Sequence, residues 1–271
     1  MRPTEVVEAA TIHGTDVSEF EQAGPPVIAV NEAGRSPFVL VCEHASRLLP
    51  VGYGRLGLPA AEFDRHIAWD LGAAEVATRL ACLIDAPLFL AGYSRLLIDL
   101  NRPPDSPTSI PQVSEKTAIP GNRLIDQAER SRRYELWFKP FHDAVAAHLD
   151  SRAERVTAVL GVHSFTPIFA GVARPWHAGV LFRQAEAFGE AVASNIAAQS
   201  GALVGRNEPY DVSLDYDYTV PVHGDARGLA SALLEVRQDL ITDVFGIDRW
   251  SHMLARALAD VRHLIDSAGP A

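Results

Sequence analysis

This 271-residue chain has only two cysteines, no long apolar run and no excess of positive charge. Cys42 and Cys82 are its only thiols, and both stand in apolar runs, so reduced core residues are expected rather than a disulfide. No stretch approaches the ~18 apolar residues that a bilayer-spanning helix needs. Met1 to Thr15 lack a basic segment followed by an apolar one, so no signal peptide is expected, and a cytoplasmic location is the default. A net charge of -10 argues against nucleic acid or an anionic membrane as partner, because both demand a basic face. Familiar catalytic signatures are absent as well. There is no serine in G-x-S-x-G, no P-loop, no G-x-G-x-x-G after a strand and no C-x-x-C pair.

What remains is ordinary for a globular protein with a sizeable core: 48% hydrophobic and 21% charged residues. Residues 1–36 are mixed in polarity and read as an N-terminal arm; residues 37–271 read as one catalytic domain without an internal repeat or linker. Within that domain, strands are expected at Phe38–Cys42, Pro87–Leu90, Leu96–Leu100, 158–162, 178–182 and 231–234. Between Ala45 and Pro59 the Gly- and Pro-bearing stretch reads as a surface loop. Helical spacing marks a segment from about Asp64 to Ile84, another from Asn122 to Leu149 that Pro140 should kink, one over 184–199, and a closing helix through Trp250 to Ile265. The Pro- and Ser-rich run 103–121 is a long loop, of the kind that usually serves as a lid or binding loop. Strands alternating with helices indicate a three-layer α/β/α domain around a mixed sheet.

The chemistry is concentrated where apolar runs stop. Phe38-Val39-Leu40-Val41-Cys42 ends in Glu43-His44, Ala158 to Val162 runs into His163-Ser164, and Ser231 to Leu234 runs into Glu235. Open α/β sheets bind ligands at the carboxyl ends of their strands. Two strand-end histidines and a strand-end carboxylate therefore point to a metal hydrolase. Zinc in such sites takes three protein ligands and a water, and Glu43, His66 and Asp70 are each available as the third. Glu235 is the candidate general base, the alternative being an ion pair with a nearby arginine. Arg95, Asp99, Asn101 and Arg102 crowd one short segment, either as a salt-bridge network or as a receptor for a substrate carboxylate, which the planar guanidinium grips with two hydrogen bonds. Arg237, two residues past Glu235, is a third candidate for that role.

Five segments resemble the N-formylglutamate amidohydrolase family. They are Cys42-Glu43-His44-Ala45-Ser46, His66 to Ala73, Ser94 to Pro103, Val162 to Pro167 and Leu234 to Asp239, in order along nearly the whole chain. The family is similar in fold to zinc carboxypeptidases and aspartoacylase, so the resemblance implies metal at the C-terminal ends of the strands. It implies Zn2+ on His44 and His163, with Glu235 as general base, and Asp70 as third ligand in place of the H-x-x-E of carboxypeptidases, since Arg47 stands three residues after His44. The activity implied is hydrolysis of the N-acyl bond of a small acidic amino acid, N-formyl-L-glutamate first. Zinc amidases of other N-acyl amino acids or of peptidoglycan-type amides are the alternatives, together with a non-catalytic binder of small anions.

Overall fold

The computed structural model describes residues 19–266, except 153, 154 and 156. Its seven-stranded sheet comprises β1 (Val27–Val30), β2 (Phe38–Cys42), β3 (Leu88–Ala91), β4 (Ala158–Phe165), β5 (Ala178–Leu181), β6 (Val204–Arg206) and β7 (Ala230–Arg237). Their spatial order is β6-β5-β7-β4-β2-β3-β1. The four central strands β7, β4, β2 and β3 are parallel, while β5 runs antiparallel to β7 and β1 antiparallel to β3.

Alternation along the strands sorts side chains into two layers. Leu40, Leu160 and Leu234 face one side, where they pack with helices α1 (Ala73–Ile84), α4 (Glu186–Ser200) and α5 (Val244–Asp266). Val39, Val41 and Val159 face the other, against Phe141, Val145 and Leu149 of α3 (Lys139–Asp150), which continues from α2 (Gln127–Arg133). Each such side chain, fully buried, contributes about 1.5–3 kcal/mol. Layers on both faces of a mixed sheet are the architecture that the strand–helix alternation predicts. On the second face the helical cover is incomplete, and loops close the gap. That gap lies over the C-terminal ends of β2, β4 and β7.

Several local expectations are corrected. Leu96–Leu100 is not a strand. Ser94 accepts the Leu96 amide on its hydroxyl and the Leu97 amide on its carbonyl, which curls the segment into turns and buries its apolar residues in the second layer. The helix expected from Asp64 starts only at Ala73. A short 3-10 turn covers Ala60–Asp64, and the Asp70 amide is drawn to the His44 carbonyl at 3.0 Å, so His66 and Asp70 share no helix face. The stretch read as a surface loop buries Leu49, Leu56 and Leu58, and Leu49–Pro50 pairs with Glu21–Gln22. Of the residues read as an arm, 1–18 lie outside the described residues, whereas Val27–Val30 is the edge strand β1. The break expected at Pro140 is present: a new α-helical stretch starts at Lys139 with Pro140 in its first turn. The turn just before it widens, with the Lys139 amide reaching Tyr134 in a π-helical register over Tyr134–Phe138. Among the described residues no helix is long and apolar enough to cross a membrane.

Candidate active site

His163 and Glu235 are direct neighbours. They are register partners on the parallel strands β4 and β7, on the same face of the sheet, each two residues before its strand ends. Beneath them Gly161 leaves room for both side chains, since a Cβ there would lie 2.4 Å from a Leu233 methyl and 3.3 Å from His163 Nε2 and would push them aside. His44 follows directly after β2 and Glu43. Asp70 reaches the same point from the turn before α1, anchored by the hydrogen bond its backbone N–H donates to the His44 carbonyl and followed by Gly72 in left-handed conformation (φ 78°).

The geometry around Asp70 is that of a shared focus. Its Oδ2 lies 2.9 Å from His163 Nδ1 and 3.4 Å from His44 Nδ1. The opposite nitrogen of each ring faces another carboxylate: His44 Nε2 is 2.7 Å from Asp99 Oδ1, and His163 Nε2 is 3.1 Å from Glu43 Oε2. Glu43 in turn accepts from the Thr219 hydroxyl. All five groups are buried. His44, Asp70 and His163 can hold a metal ion, their ligand atoms lying within 4.8 Å of one another. The fit is chemical as well as spatial. Two imidazole nitrogens and a carboxylate oxygen are a zinc-type donor set, and zinc bonds of about 2.0–2.1 Å set such donors roughly 3.3 Å apart. Carboxylates behind each ring orient its Nδ1 toward the centre, the arrangement usual behind metal-bound histidines.

Charge tells the same story. Burial opposes ionisation of Glu43, yet His163 beside it holds its carboxyl down to about 2. Burial likewise opposes a proton on His163, but Glu43 and Asp70 together raise it well above the usual histidine value. Three buried carboxylates thus draw positive charge onto the spot where both rings converge. Glu235 behaves differently. Burial raises it to about 7, His163 only partly offsetting the shift, and its Oε2 has no hydrogen-bond partner.

The remaining predicted residues divide. Arg95 donates from Nε and Nη2 to Asp99 Oδ2 at 3.0 and 2.7 Å, and from Nη1 to Asp70 Oδ1 at 3.3 Å. Arg102 reaches the Tyr216 carbonyl and lies 3.9 Å from Asp217. Both line the cavity above the cluster, as does His66. Arg237 does not line it. Asp239, at 2.8 Å, and the Trp176 carbonyl, at 3.2 Å, hold its guanidinium instead. Neither alternative ligand joins the cluster: Glu43 backs His163, and His66 stands 3.7 Å from Glu115. Sequence reasoning missed Asp99 as the partner of His44, and missed Thr219 and Tyr210 altogether, because loops far apart in sequence carry them. The run 103–121 does form cavity wall, through Thr108, Pro111 and the hairpin of Val113–Ser114 with Thr117–Ala118.

A His–Asp–His cluster able to hold a metal ion thus stands beside the buried Glu235, at the carboxyl ends of parallel strands in an α/β fold. Residues 36–242 match the N-formylglutamate amidohydrolase model, and the chain belongs to that family of hydrolases acting on linear amide bonds. The crystal structure of gene product Atu2144 from Agrobacterium tumefaciens is 36% identical, with a TM-score of 0.86 over 90% of this chain and 97% of that one. N-formylglutamate amidohydrolase from Ralstonia eutropha JMP134 is 18% identical, with a TM-score of 0.62 over 89% and 98%, a likeness of fold. No curated protein matches the chain.

Proposed function

We propose that the protein is a zinc-dependent amidohydrolase that cleaves the N-acyl bond of a small N-acylated amino acid. N-formyl-L-glutamate, hydrolysed to formate and glutamate, is the reference substrate because the family is described by it. The observation that carries the reading is Glu235, a buried carboxylate with a partnerless oxygen, paired in register with His163 at the floor of one cavity.

His44, Asp70 and His163 would hold the ion, which supplies positive charge to polarise the acyl carbonyl and acidify a water. Water adds its oxygen to the acyl carbon, and the C–N bond breaks. Glu235 takes the water's proton and delivers it to the departing amine nitrogen, leaving acid and amine. A carboxylate held near neutrality accepts and returns a proton with little penalty in either direction. Arg95, braced by Asp99 and Asp70, would supply positive charge to the oxygen that becomes negative as water adds. Arg102 would take the substrate's α-carboxylate, whose desolvation costs several kcal/mol unless a cation receives it.

The test is Glu235→Gln, which preserves shape and removes the proton acceptor. Zinc content should stay stoichiometric while kcat falls at least ~10²-fold. Near wild-type kcat would assign the proton transfer to another group and overturn this role for Glu235.

A further inference from the structure

The cavity above the cluster is larger and less basic than N-formylglutamate calls for. Its volume is about 460 Å³, within the roughly 300–1,000 Å³ typical of drug-sized ligands. Six carboxylates line it (Asp70, Asp99, Glu115, Asp211, Asp217 and Glu235) against two guanidiniums. Of those two, Arg95 commits three N–H groups to Asp99 and Asp70. Arg102 commits one nitrogen, Nη1, which donates to the Tyr216 carbonyl and lies 3.9 Å from Asp217, and its other N–H groups remain open to a ligand. One substrate carboxylate therefore finds a receptor. Asp70, Asp99 and Glu115 are already paired with Arg95 or Arg65, so among the described residues no second open guanidinium lines the cavity. A further carboxylate, such as the γ-carboxylate of a glutamyl compound, would lose its water without a cation to receive it.

The mouth has the opposite character. Val113, Phe169, Tyr210 and Tyr216 line the cavity while leaving 38–59% of their surface exposed. Large apolar groups exposed together at the rim of a polar cleft mark a contact surface for a ligand. The surface is also cross-linked by side-chain contacts. Arg174 lies 4.6 Å from the centroids of both Phe169 and Tyr210 and donates to the Tyr210 hydroxyl at 2.8 Å, so one guanidinium ties the Ile168–Phe169 hairpin to the loop after β6. Across the mouth, Arg102 lies 5.9 Å from the Tyr216 ring. The open cation is thus flanked by aromatic surface.

Building on the amidohydrolase reading, we infer that the preferred substrate is an N-acyl amino acid with a single carboxylate and an apolar or aromatic side chain. Its carboxylate pairs with Arg102, and its side chain lies on the wall of Phe169 and Tyr210. The hydrolytic step balances as above, water supplying the oxygen of the released acid and the proton of the released amine.

The experiment compares kcat/KM of zinc-loaded enzyme on N-formyl-L-phenylalanine, N-formyl-L-alanine and N-formyl-L-glutamate, and repeats the series with Phe169→Ala. The phenylalanyl compound should exceed the glutamyl one by at least ~10-fold. Phe169→Ala should lower the phenylalanyl value by about 10-fold and leave the alanyl value within about 2-fold, the effect of losing one apolar contact. A glutamyl preference, or an equal loss on all three compounds, overturns the inference and leaves the hydrolase reading standing. Calorimetry on Glu235→Gln, whose turnover should be at least ~10²-fold slower, separates the two failures. Absence of hydrolysis on every compound overturns the hydrolase reading, whereas tighter binding of the glutamyl than the phenylalanyl compound overturns the aromatic subsite alone.

Discussion

At the scale of single residues, His163 is the side chain most completely specified by its neighbours. Asp70 stands at its Nδ1 and Glu43 at its Nε2, and Thr219 binds the far oxygen of Glu43. Glu43 immediately precedes His44, so one strand end provides a candidate ligand and the support for the other histidine. A carboxylate behind an imidazole keeps the hydrogen on the distal nitrogen and leaves the lone pair of the proximal one for a metal. Glu43→Gln retains the shape and the Thr219 contact but removes the charge. Metal affinity, measured by competition with a chelator, should fall about 10–100-fold. Unchanged affinity would show that Glu43 serves packing alone.

The elements on the second face meet at a buried histidine pair. His142 on α3 donates from Nε2 to the Leu100 carbonyl at 2.8 Å, so its Nδ1 is the acceptor for His223 Nε2–H at 2.9 Å. His223 belongs to the π-helical turn Thr219–Gly224 that also carries Thr219. The pair therefore pins α3, the turn after Asp99 and the support of Glu43 to one another. Burial lowers His142 to about 3 and His223 to about 4. Both values lie below the ~6.5 of an unfolded histidine. Below that pH the unfolded chain binds protons that the folded one refuses. Their contribution is thus fully present above about 6.5 and lost as pH falls toward 4 and then 3, at about 1.4 kcal/mol per pH unit for each histidine. His223→Gln keeps an amide donor for His142 and removes one titration. Denaturant unfolding at pH 7 and pH 5 should show a smaller acid loss in the variant, by about one proton's worth. An identical slope would mean that the pair already carries a proton in the fold.

For the whole molecule, the site is a junction rather than a segment. Side chains from residue 43 to residue 235 close on one point, so an ion held there ties β2, β4 and the turn before α1 together. A ligand that binds only the folded state adds about 4 kcal/mol at a thousandfold excess over its dissociation constant. For a chain of this size that corresponds to roughly 10 °C in Tm. Chelation should therefore lower Tm by about that much, zinc should restore it, and His163→Ala should respond to neither. A wild-type Tm that ignores chelator would place the ion elsewhere or exclude its structural contribution.

The extent of the fold and site legible in the sequence follows from the range of the forces involved. Apolar runs that stop at Glu43, His163 and Glu235 are local signals, because a buried parallel strand must be apolar along its length and can afford titratable groups only near its end. From them alone the layered α/β class and the convergence of His44, His163 and Glu235 could be read. Asp70 was reachable only as one of several candidates, since the hydrogen bond from its amide to His44, which breaks the expected helix, depends on where β2 ends in space. The apolar Leu96–Leu100 could not be told from a strand, because hydrophobicity dictates burial and not backbone shape, and the Ser94 hydrogen bonds settle the turn. Arg237 shares the strand parity of Glu235 but is claimed by Asp239, a competition that pattern does not reveal. What the sequence determined by itself is therefore which segments must be buried and which chemistry their ends carry. Only the tertiary structure decided which carboxylate backs which histidine, which arginine stays open, and that the mouth of the cavity is aromatic, because those outcomes rest on hydrogen bonds and contacts between loops a hundred residues apart.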